Sequence, residues 1–297
     1  MRLIEPSFEI WEQPAGLEGI YKQIEHVGRV CYKSEDKITE DSAKGFVDRM
    51  VKSGHGAMLE HGTVYLDIPN SAGDYNLVSF FASNPYSRVV IRPLDDRVHN
   101  YITTNFRVMI ENFAEEYIPD ILQYLCEPTE FHKKRITVHF VCDRGVSHEF
   151  VRHRVMSFAQ ESTRYCNYSK DKFNNELTFI QPVWTYHQED GDYGTLGNLK
   201  RKNAGNKDGT FFEFIKSLQY AELYYFRLLK EGWKPEQARA VLPNSLKTEL
   251  VMTGFVSDWQ HFFDLRTLGT TGAPHPQAKE LAEPLMKEFI ARKYINN

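Results

Sequence analysis

The chain has 297 residues, of which 41% are hydrophobic, so it is long and apolar enough to bury a substantial core in one large domain or two smaller ones. Charged residues make up 26% of the chain and the formal net charge is −4, which argues against a protein that coats nucleic acid or an acidic membrane. Any anion-binding site must therefore be local.

The four cysteines are far apart in the sequence and form no CxxC pair, which argues against a zinc site and against a disulfide framework. We therefore expect no bound metal and a reducing, cytoplasmic location. No window reaches the roughly 18 apolar residues of a membrane span, and residues 1–10 lack the continuous apolar run of a signal peptide. The sequence predicts neither a membrane partner nor a nucleic-acid partner.

The N-terminal half contains one clear helix and two clear strands. Apolar residues recur at helical spacing over 39–53, which predicts an amphipathic helix. Residues 63–68 alternate between apolar and polar side chains, and residues 136–142 do the same, so both segments are predicted to be strands. We expect these two strands to lie in one sheet. The stretch between them, 69–134, carries turn signals and a helix over 108–125, and we interpret it as an insertion.

Two serines are placed to begin helices in the C-terminal half. Ser147 is predicted to cap a helix that ends near Phe158, and Ser257 to cap a helix that carries His261 and Arg266. Residues 186–209 are rich in glycine, asparagine, aspartate and lysine, so they are predicted to form a second insertion as an exposed loop.

Four further elements complete the C-terminal half. Apolar spacing and alternation predict helices over 211–229 and 236–241, a strand over 246–255, and a last helix over 276–292 that is interrupted at Pro284.

The strands and helices do not alternate strictly, which favours an α+β fold class. We expect a mixed or antiparallel sheet with flanking helices. A single domain is expected over 1–297, with the two insertions at 69–134 and 186–209.

Positive charge is concentrated between residues 144 and 164 of this acidic chain, and His153 lies among the arginines. A guanidinium group stays charged and offers a fixed fork of donors, which suits it to phosphate. The alternative is that these arginines pair with Glu149, Glu161 and Asp143 on a solvated surface. The arginines concerned are Arg144, Arg152, Arg154 and Arg164.

Spacing predicts how these side chains are directed. On a helix, Glu149, Arg152, His153 and Met156 would form one stripe. Arg154 would lie about 200° around the axis from Arg152, so the two arginines would address different ligands or different chains. This predicts a site at a subunit interface.

Beyond that predicted helix, Ser162 and Arg164 are two residues apart. In an extended segment this spacing places the hydroxyl and the guanidinium on the same side, where they could hold a phosphate. No GxSxG motif surrounds Ser162, so we interpret it as a phosphate ligand and not as an acyl nucleophile.

The pattern Arg152-His153-Arg154, then seven residues, then Ser162 and Arg164 resembles the signature of the flavin-dependent thymidylate synthases. The residues that lead into it, 145–149, also resemble that family. Other segments resemble further family motifs and occur in the family's order: 29–32, 54–55 with 60–61, 238–243 and 263–266. The resemblance spans most of the chain outside the two predicted insertions.

The resemblance implies a reaction and an assembly. Methylenetetrahydrofolate would give a one-carbon unit to dUMP, reduced FAD would supply the hydride that completes the methyl group of dTMP, and NADPH would reduce the flavin again. Members of the family are homotetramers whose sites draw on several chains.

The resemblance also implies roles for individual residues. Arg266 would stabilise negative charge on the uracil ring. The residues implied for dUMP are Glu149, Gln160, Ser162, Arg164, Arg239 and Arg266, and those implied for FAD are His61, Arg152, His153, Arg154, Gln160 and His261.

Two other functions remain open at this stage. One is a different flavoprotein that acts on a nucleotide and has kept the anion site. The other is a non-catalytic nucleotide- or RNA-binding protein, which the arginines and the 16 tyrosines favour. Uptake of FAD and methylation of dUMP distinguish the three possibilities.

Overall fold

The computed structural model describes residues 1–70, 75–94, 97–185, 190–194 and 209–296. The insertion predicted at 186–209 therefore lies mostly outside the described residues. None of the described helices is both long and apolar enough to cross a membrane.

The described residues form strands and α-helices that we number in chain order. The strands are β1 (Arg2–Ile4), β2 (Ser7–Trp11), β3 (Thr63–Pro69), β4 (Arg88–Leu94), β5 (Arg97–Asn105), β6 (Arg135–Asp143), β7 (Ser157–Gln160), β8 (Thr178–Ile180), β9 (Gly191–Asp192) and β10 (Lys247–Phe255). The helices are α1 (Gly16–Tyr32), α2 (Ser42–Lys52), α3 (Gly56–Leu59), α4 (Tyr75–Ser83), α5 (Phe106–Asn112), α6 (Ile118–Leu122), α7 (Arg144–Phe150), α8 (Gly209–Lys230), α9 (Pro235–Ala238), α10 (Val256–Phe263) and α11 (Pro276–Ala291).

An antiparallel sheet of four strands, in the order β2-β6-β10-β7, carries most of the predicted site. Successive side chains of a strand point to opposite faces. One face of this sheet, with Phe140 and Leu250, belongs to a core that includes Trp259 of α10 and Phe289 of α11. The opposite face, with Val251, packs against α1. Full burial of each large apolar side chain contributes roughly 1.5–3 kcal/mol to stability.

A second antiparallel sheet, in the order β3-β5-β4, packs with the N-terminal helices. Its core joins Ile24 of α1 and Phe46 of α2 to Ile102 of β5 and Met109 of α5. Part of the segment 69–134 therefore shares a core with the N-terminal helices. Its status as an insertion stays a prediction.

The third sheet has the order β8-β1-β9, with a parallel pair between β8 and β1. It shares a core with the long helix α8 through Leu3, Phe179 and Ile215. The architecture is thus α+β, with largely antiparallel sheets and flanking helices. The elements predicted at 39–53, 211–229 and 246–255 are confirmed as α2, α8 and β10.

The prediction that the strands at 63–68 and 136–142 share a sheet is wrong. Strand β3 pairs with β5, whereas β6 pairs with β2 and β10. Alternation predicts that a segment is a strand, but the partner is decided by which distant segment meets its edge. Here the partner of β3 comes from inside the segment 69–134.

The prediction that Ser147 caps the helix of the arginine signature is also wrong. Asp143 is the N-cap, because its Oδ1 accepts a hydrogen bond from the backbone N–H of Val146 at 2.8 Å. Ser147 lies inside α7, where its hydroxyl donates to the carbonyl of Arg144. The helix ends at Phe150, so Arg152, His153 and Arg154 do not lie on it and the predicted stripe does not form.

Three other predicted helices differ in detail. The helix at 108–125 is broken into α5 and α6, because Phe113 is extended and a new helix begins at Ile118 with Pro119 in its first turn. Helix α10 is capped at Phe255, whose N–H donates to the Asp258 carboxylate, and not at Ser257. Helix α11 continues through Pro284 without interruption.

Candidate functional site

Arg266 is the centre of a cluster that joins two predicted motifs. It lies on a π-helical turn, Asp264–Leu268, directly after α10. Its Nη1 donates to Glu149 Oε2 at 2.7 Å, its Nη2 donates to the Glu149 carbonyl at 2.8 Å, and its Nε donates to His153 Nε2 at 3.2 Å. A guanidinium has five N–H hydrogens, so two remain for a ligand. We call Glu149, His153 and Arg266 the arginine cluster.

The contact with Arg266 decides the protonation of His153. Arginine only donates, so His153 Nε2 must be an unprotonated acceptor and the ring proton must lie on Nδ1. Burial of the ring, with Arg266 and His261 close to it, lowers the pKa of His153 to about 4. Nδ1 makes no hydrogen bond within the described part of the chain. His153 is therefore a neutral imidazole with one uncommitted donor.

Gln160 connects the central sheet to the helix that carries Glu149. It is the last residue of β7, and its Nε2 donates to Ser147 Oγ at 2.8 Å and to Thr248 Oγ1 at 3.2 Å. Its side-chain amide is therefore held by both α7 and β10.

Directly after Gln160, residues 161–165 form what we call the serine loop. The backbone N–H of Ser162 donates to the Cys31 carbonyl at 3.0 Å, and Ser162 Oγ accepts from the N–H of Arg164 at 3.3 Å. Arg239 reaches the same loop, because its Nη1 donates to Thr163 Oγ1 at 3.3 Å.

The two arginines at the serine loop carry unneutralised charge. The Arg164 side chain is exposed and its guanidinium lies 5.3 Å from the centre of the Tyr165 ring. Neither Arg164 nor Arg239 forms an ion pair with a carboxylate of the described residues. The structure thus brings Ser162, Arg164 and Arg239 together around one loop.

Arg152 and Arg154 are exposed beyond the end of α7. Neither guanidinium group makes a hydrogen bond or an ion pair in the described ranges of the chain. Arg154 lines a cavity of about 170 Å³ together with Arg88, Arg135 and Asp258. His261 is also exposed, and its ring centre is 5.8 Å from that of His153.

The carboxylates near the signature arginines have other partners, so the alternative in which they pair with those arginines is wrong. Glu149 pairs with Arg266, Glu161 pairs with Lys247, and Asp143 caps α7 and accepts from Gln277.

His61 lies away from any surface of the single chain. Its side chain is fully buried, and its Nδ1 is 2.8 Å from Thr253 Oγ1 on the central sheet. Burial, with Arg135 close by, lowers its pKa to about 3. The imidazole of His61 is therefore closed to solvent in the single chain, whereas Arg152, Arg154 and His261 are exposed.

Sequence reasoning missed His275, which lies next to the arginine cluster. Its Nδ1 is 4.0 Å from Glu149 Oε1, and the exposed Trp184 packs edge-on against its ring. Only a contact between segments more than 100 residues apart places it there, so no local pattern reveals it.

Comparison with known proteins identifies a matching family and related enzymes. A family model described as thymidylate synthase complementing protein matches residues 71–292. A flavin-dependent thymidylate synthase of Pyrococcus furiosus is 29% identical over 194 residues, which are 65% of this chain and 69% of the relative. One of Corynebacterium aurimucosum is 23% identical over 280 residues, 93% of this chain and 78% of the relative.

A solved structure of similar extent is a UMP/dUMP methylase, PolB, from Streptomyces cacaoi bound with 5-Br dUMP. It is 19% identical, the match covers 98% of this chain and 93% of that one, and the TM-score is 0.43.

Proposed function

Because the chain belongs to the thymidylate synthase complementing protein family, we propose that it is a flavin-dependent thymidylate synthase that methylates dUMP to dTMP. Family membership confirms the resemblance drawn from the arginine signature. The match includes that signature together with 238–243 and 263–266, while 29–32, 54–55 and 60–61 precede it.

The observation that carries the proposal is the unneutralised charge at the serine loop. Arg164 lies in the serine loop and Arg239 contacts it, and neither has a carboxylate partner among the described residues. A phosphate monoester with about two negative charges would satisfy both guanidinium groups and the hydroxyl. We infer that this loop takes the phosphate of dUMP.

The arginine cluster is suited to the pyrimidine ring. Glu149 fixes the direction of the Arg266 guanidinium through two hydrogen bonds, and neutral His153 holds its Nε. The two remaining N–H groups of Arg266 can then stabilise negative charge that develops on the uracil. Gln160, which is anchored to Ser147 and Thr248, is assigned to the space between nucleotide and flavin.

FAD fits the residues that the chain leaves uncommitted. Arg152 and Arg154 are exposed cations without a described partner, and His153 has a donor that no described group uses. We propose that these residues and His261 hold the cofactor, which supplies the hydride when it is bound. The fully buried His61 does not fit a direct contact in the single chain. A direct contact between His61 and FAD would require the segment around His61 to move and expose the imidazole.

The finer parts of the proposal concern donors, assembly and location. Methylenetetrahydrofolate is proposed as the one-carbon donor and NADPH as the reductant. A homotetramer is proposed because Arg152 and Arg154 have no described partner within their own chain. The chain is treated as a single catalytic domain, and its four free cysteines agree with a reducing, cytoplasmic location.

The test is release of tritium from the 5-position of dUMP by the purified protein, with dTMP identified as the product. We expect release that requires methylenetetrahydrofolate and NADPH, and a yellow protein that binds FAD. A yellow protein without release would mean a different flavoprotein that acts on a nucleotide. A colourless protein that cannot take up FAD would mean a non-catalytic nucleotide-binding protein.

A further inference from the structure

A network of ionisable side chains lies behind the serine loop, and the predicted binding residues do not include it. Glu161 Oε2 accepts from Lys247 Nζ at 2.9 Å, and Glu161 Oε1 accepts from the Tyr168 hydroxyl at 2.9 Å. Lys247 also contacts Glu249. The network continues from Glu249 to Lys33 at 2.8 Å and to His139 at 3.0 Å.

The network is buried although it is charged. Only 1% of the Glu161 side chain and 16% of the Lys247 side chain are exposed. Burial acts to lower the pKa of Lys247, but Glu161 and Glu249 raise it above its usual value, so the ammonium stays charged. Burying an ion costs several kcal/mol even when it is paired, so such a pair is weak evidence for a purely stabilising role.

The strand geometry places the network opposite the arginine cluster. Gln160 is directed to the face of the central sheet that carries α7, as its bond to Ser147 shows. Glu161 follows it in the chain and is directed to the other face, where Lys247 and Glu249 of β10 lie two residues apart. The carboxylate of Glu161, the first residue of the serine loop, therefore anchors the loop to β10 on the face of the sheet opposite α7.

Backbone contacts fix the same point of the chain. The N–H of Glu161 donates to the Glu249 carbonyl at 2.8 Å, and the N–H of Ser162 donates to the Cys31 carbonyl at 3.0 Å. Lys33, just after α1, has a left-handed backbone with φ of 47°, which is uncommon for a residue with a side chain. Its ammonium joins the end of α1 to Glu249, so α1, β10 and the serine loop form one unit.

We propose that the Glu161–Lys247 ion pair positions the serine loop for nucleotide binding, with Glu161 acting through its neighbours Gln160 and Ser162. This inference rests on the proposed methylation of dUMP. Glu161 itself does not contact the nucleotide, because Lys247 and Tyr168 occupy both of its oxygens and its side chain is buried. Lys247 also neutralises a carboxylate that would otherwise repel a phosphate held by the next residue.

The test compares Glu161→Gln with the wild type in the tritium-release assay. Glutamine keeps the size of the side chain and an acceptor for Tyr168 but loses the ion pair. We expect the KM for dUMP to rise about tenfold while kcat changes less than about threefold, because displacing the loop weakens binding of the nucleotide. The KM for NADPH and the FAD content are expected to stay at their wild-type values.

Two further variants complete the test, the first as a control and the second as an independent probe of Glu161. Glu18→Gln removes a Glu–Lys pair that is exposed, with Lys22, and is expected to leave all constants unchanged. Tyr168→Phe removes one hydrogen bond to Glu161 and keeps the ion pair. It is expected to raise the KM for dUMP about threefold to fivefold, and it tests the idea even if Glu161→Gln does not fold.

The outcomes separate this inference from the proposed function. A wild-type protein without tritium release refutes the methylation of dUMP itself. If the wild type is active and both Glu161→Gln and Tyr168→Phe keep its KM for dUMP, the positioning role is wrong. A parallel loss of FAD, NADPH and dUMP affinity together with a lower unfolding midpoint would also overturn it, since that pattern marks a purely structural pair.

Discussion

Replacing His153 by glutamine removes a titrating group while keeping an acceptor for Arg266. In the native chain, burial of the ring, with Arg266 and His261 nearby, lowers the pKa of His153 to about 4, against 6.5 for an unperturbed imidazole. Between these pH values the unfolded chain binds more protons than the native chain. The contribution of His153 to stability is therefore present above pH 6.5 and is lost as the pH falls towards 4.

The magnitude follows from the two pKa values. At about 1.4 kcal/mol per pKa unit, the whole interval corresponds to about 3 kcal/mol, of which about 2 kcal/mol is lost between pH 7 and pH 5. The glutamine at residue 153 does not titrate, so the variant should not show this part of the loss. Other groups, including the buried His61 with its pKa of about 3, are common to both proteins and cancel in the comparison.

The assay is urea unfolding of the wild type and of His153→Gln at pH 7 and at pH 5, followed by tryptophan fluorescence. We expect the free energy of unfolding of the wild type to fall by about 2 kcal/mol more than that of the variant. Equal losses in the two proteins would refute the reasoning, because they would mean that His153 is not held neutral by its surroundings.

Three other predictions concern the site itself. Arg266→Lys is expected to lower kcat about 100-fold, because an ammonium cannot make the two-point contact with the Glu149 carboxylate and carbonyl. Tritium release measures kcat, and a nearly unchanged value would contradict the role of Arg266 in stabilising charge on the uracil. Ser162→Ala is expected to weaken dUMP binding about tenfold in a calorimetric titration while FAD binding stays the same. Arg152→Ala is expected to weaken FAD about tenfold in a flavin titration while dUMP affinity stays the same, and Arg92→Ala, an exposed arginine outside the site, serves as its control.

Much of the secondary structure follows from patterns a few residues long. The alternation of Ile136, Val138, Phe140 and Cys142 predicts β6, and the apolar spacing of residues 211–229 predicts α8. These patterns are local, because they depend only on the geometry of the strand or helix in which the residues lie. Helix ends follow less clearly from the sequence. Asp143 and Ser147 are both residue types that cap helices, and only the structure shows that Asp143 is the cap and that Ser147 lies inside the helix.

Parts of the predicted geometry of the candidate site differ from the structure. The signature spacing predicts that Arg152 and Arg154 diverge around a helix, whereas they lie beyond the end of α7. The contact of Arg239 with the serine loop agrees with its predicted grouping with Ser162 and Arg164. The family resemblance groups His61 with the flavin residues, but its side chain is fully buried and contacts Thr253 in the single chain.

The sequence by itself determined the family, the α+β class and the segments that carry arginine, serine and histidine, because these are properties of residue type and short-range spacing. Only the tertiary structure decided that Arg266 meets Glu149 across 117 residues and that Glu161 meets Lys247 across 86 residues. The physical reason is that such contacts form when distant segments are brought together by burial of shared apolar faces. No local pattern records which faces will meet.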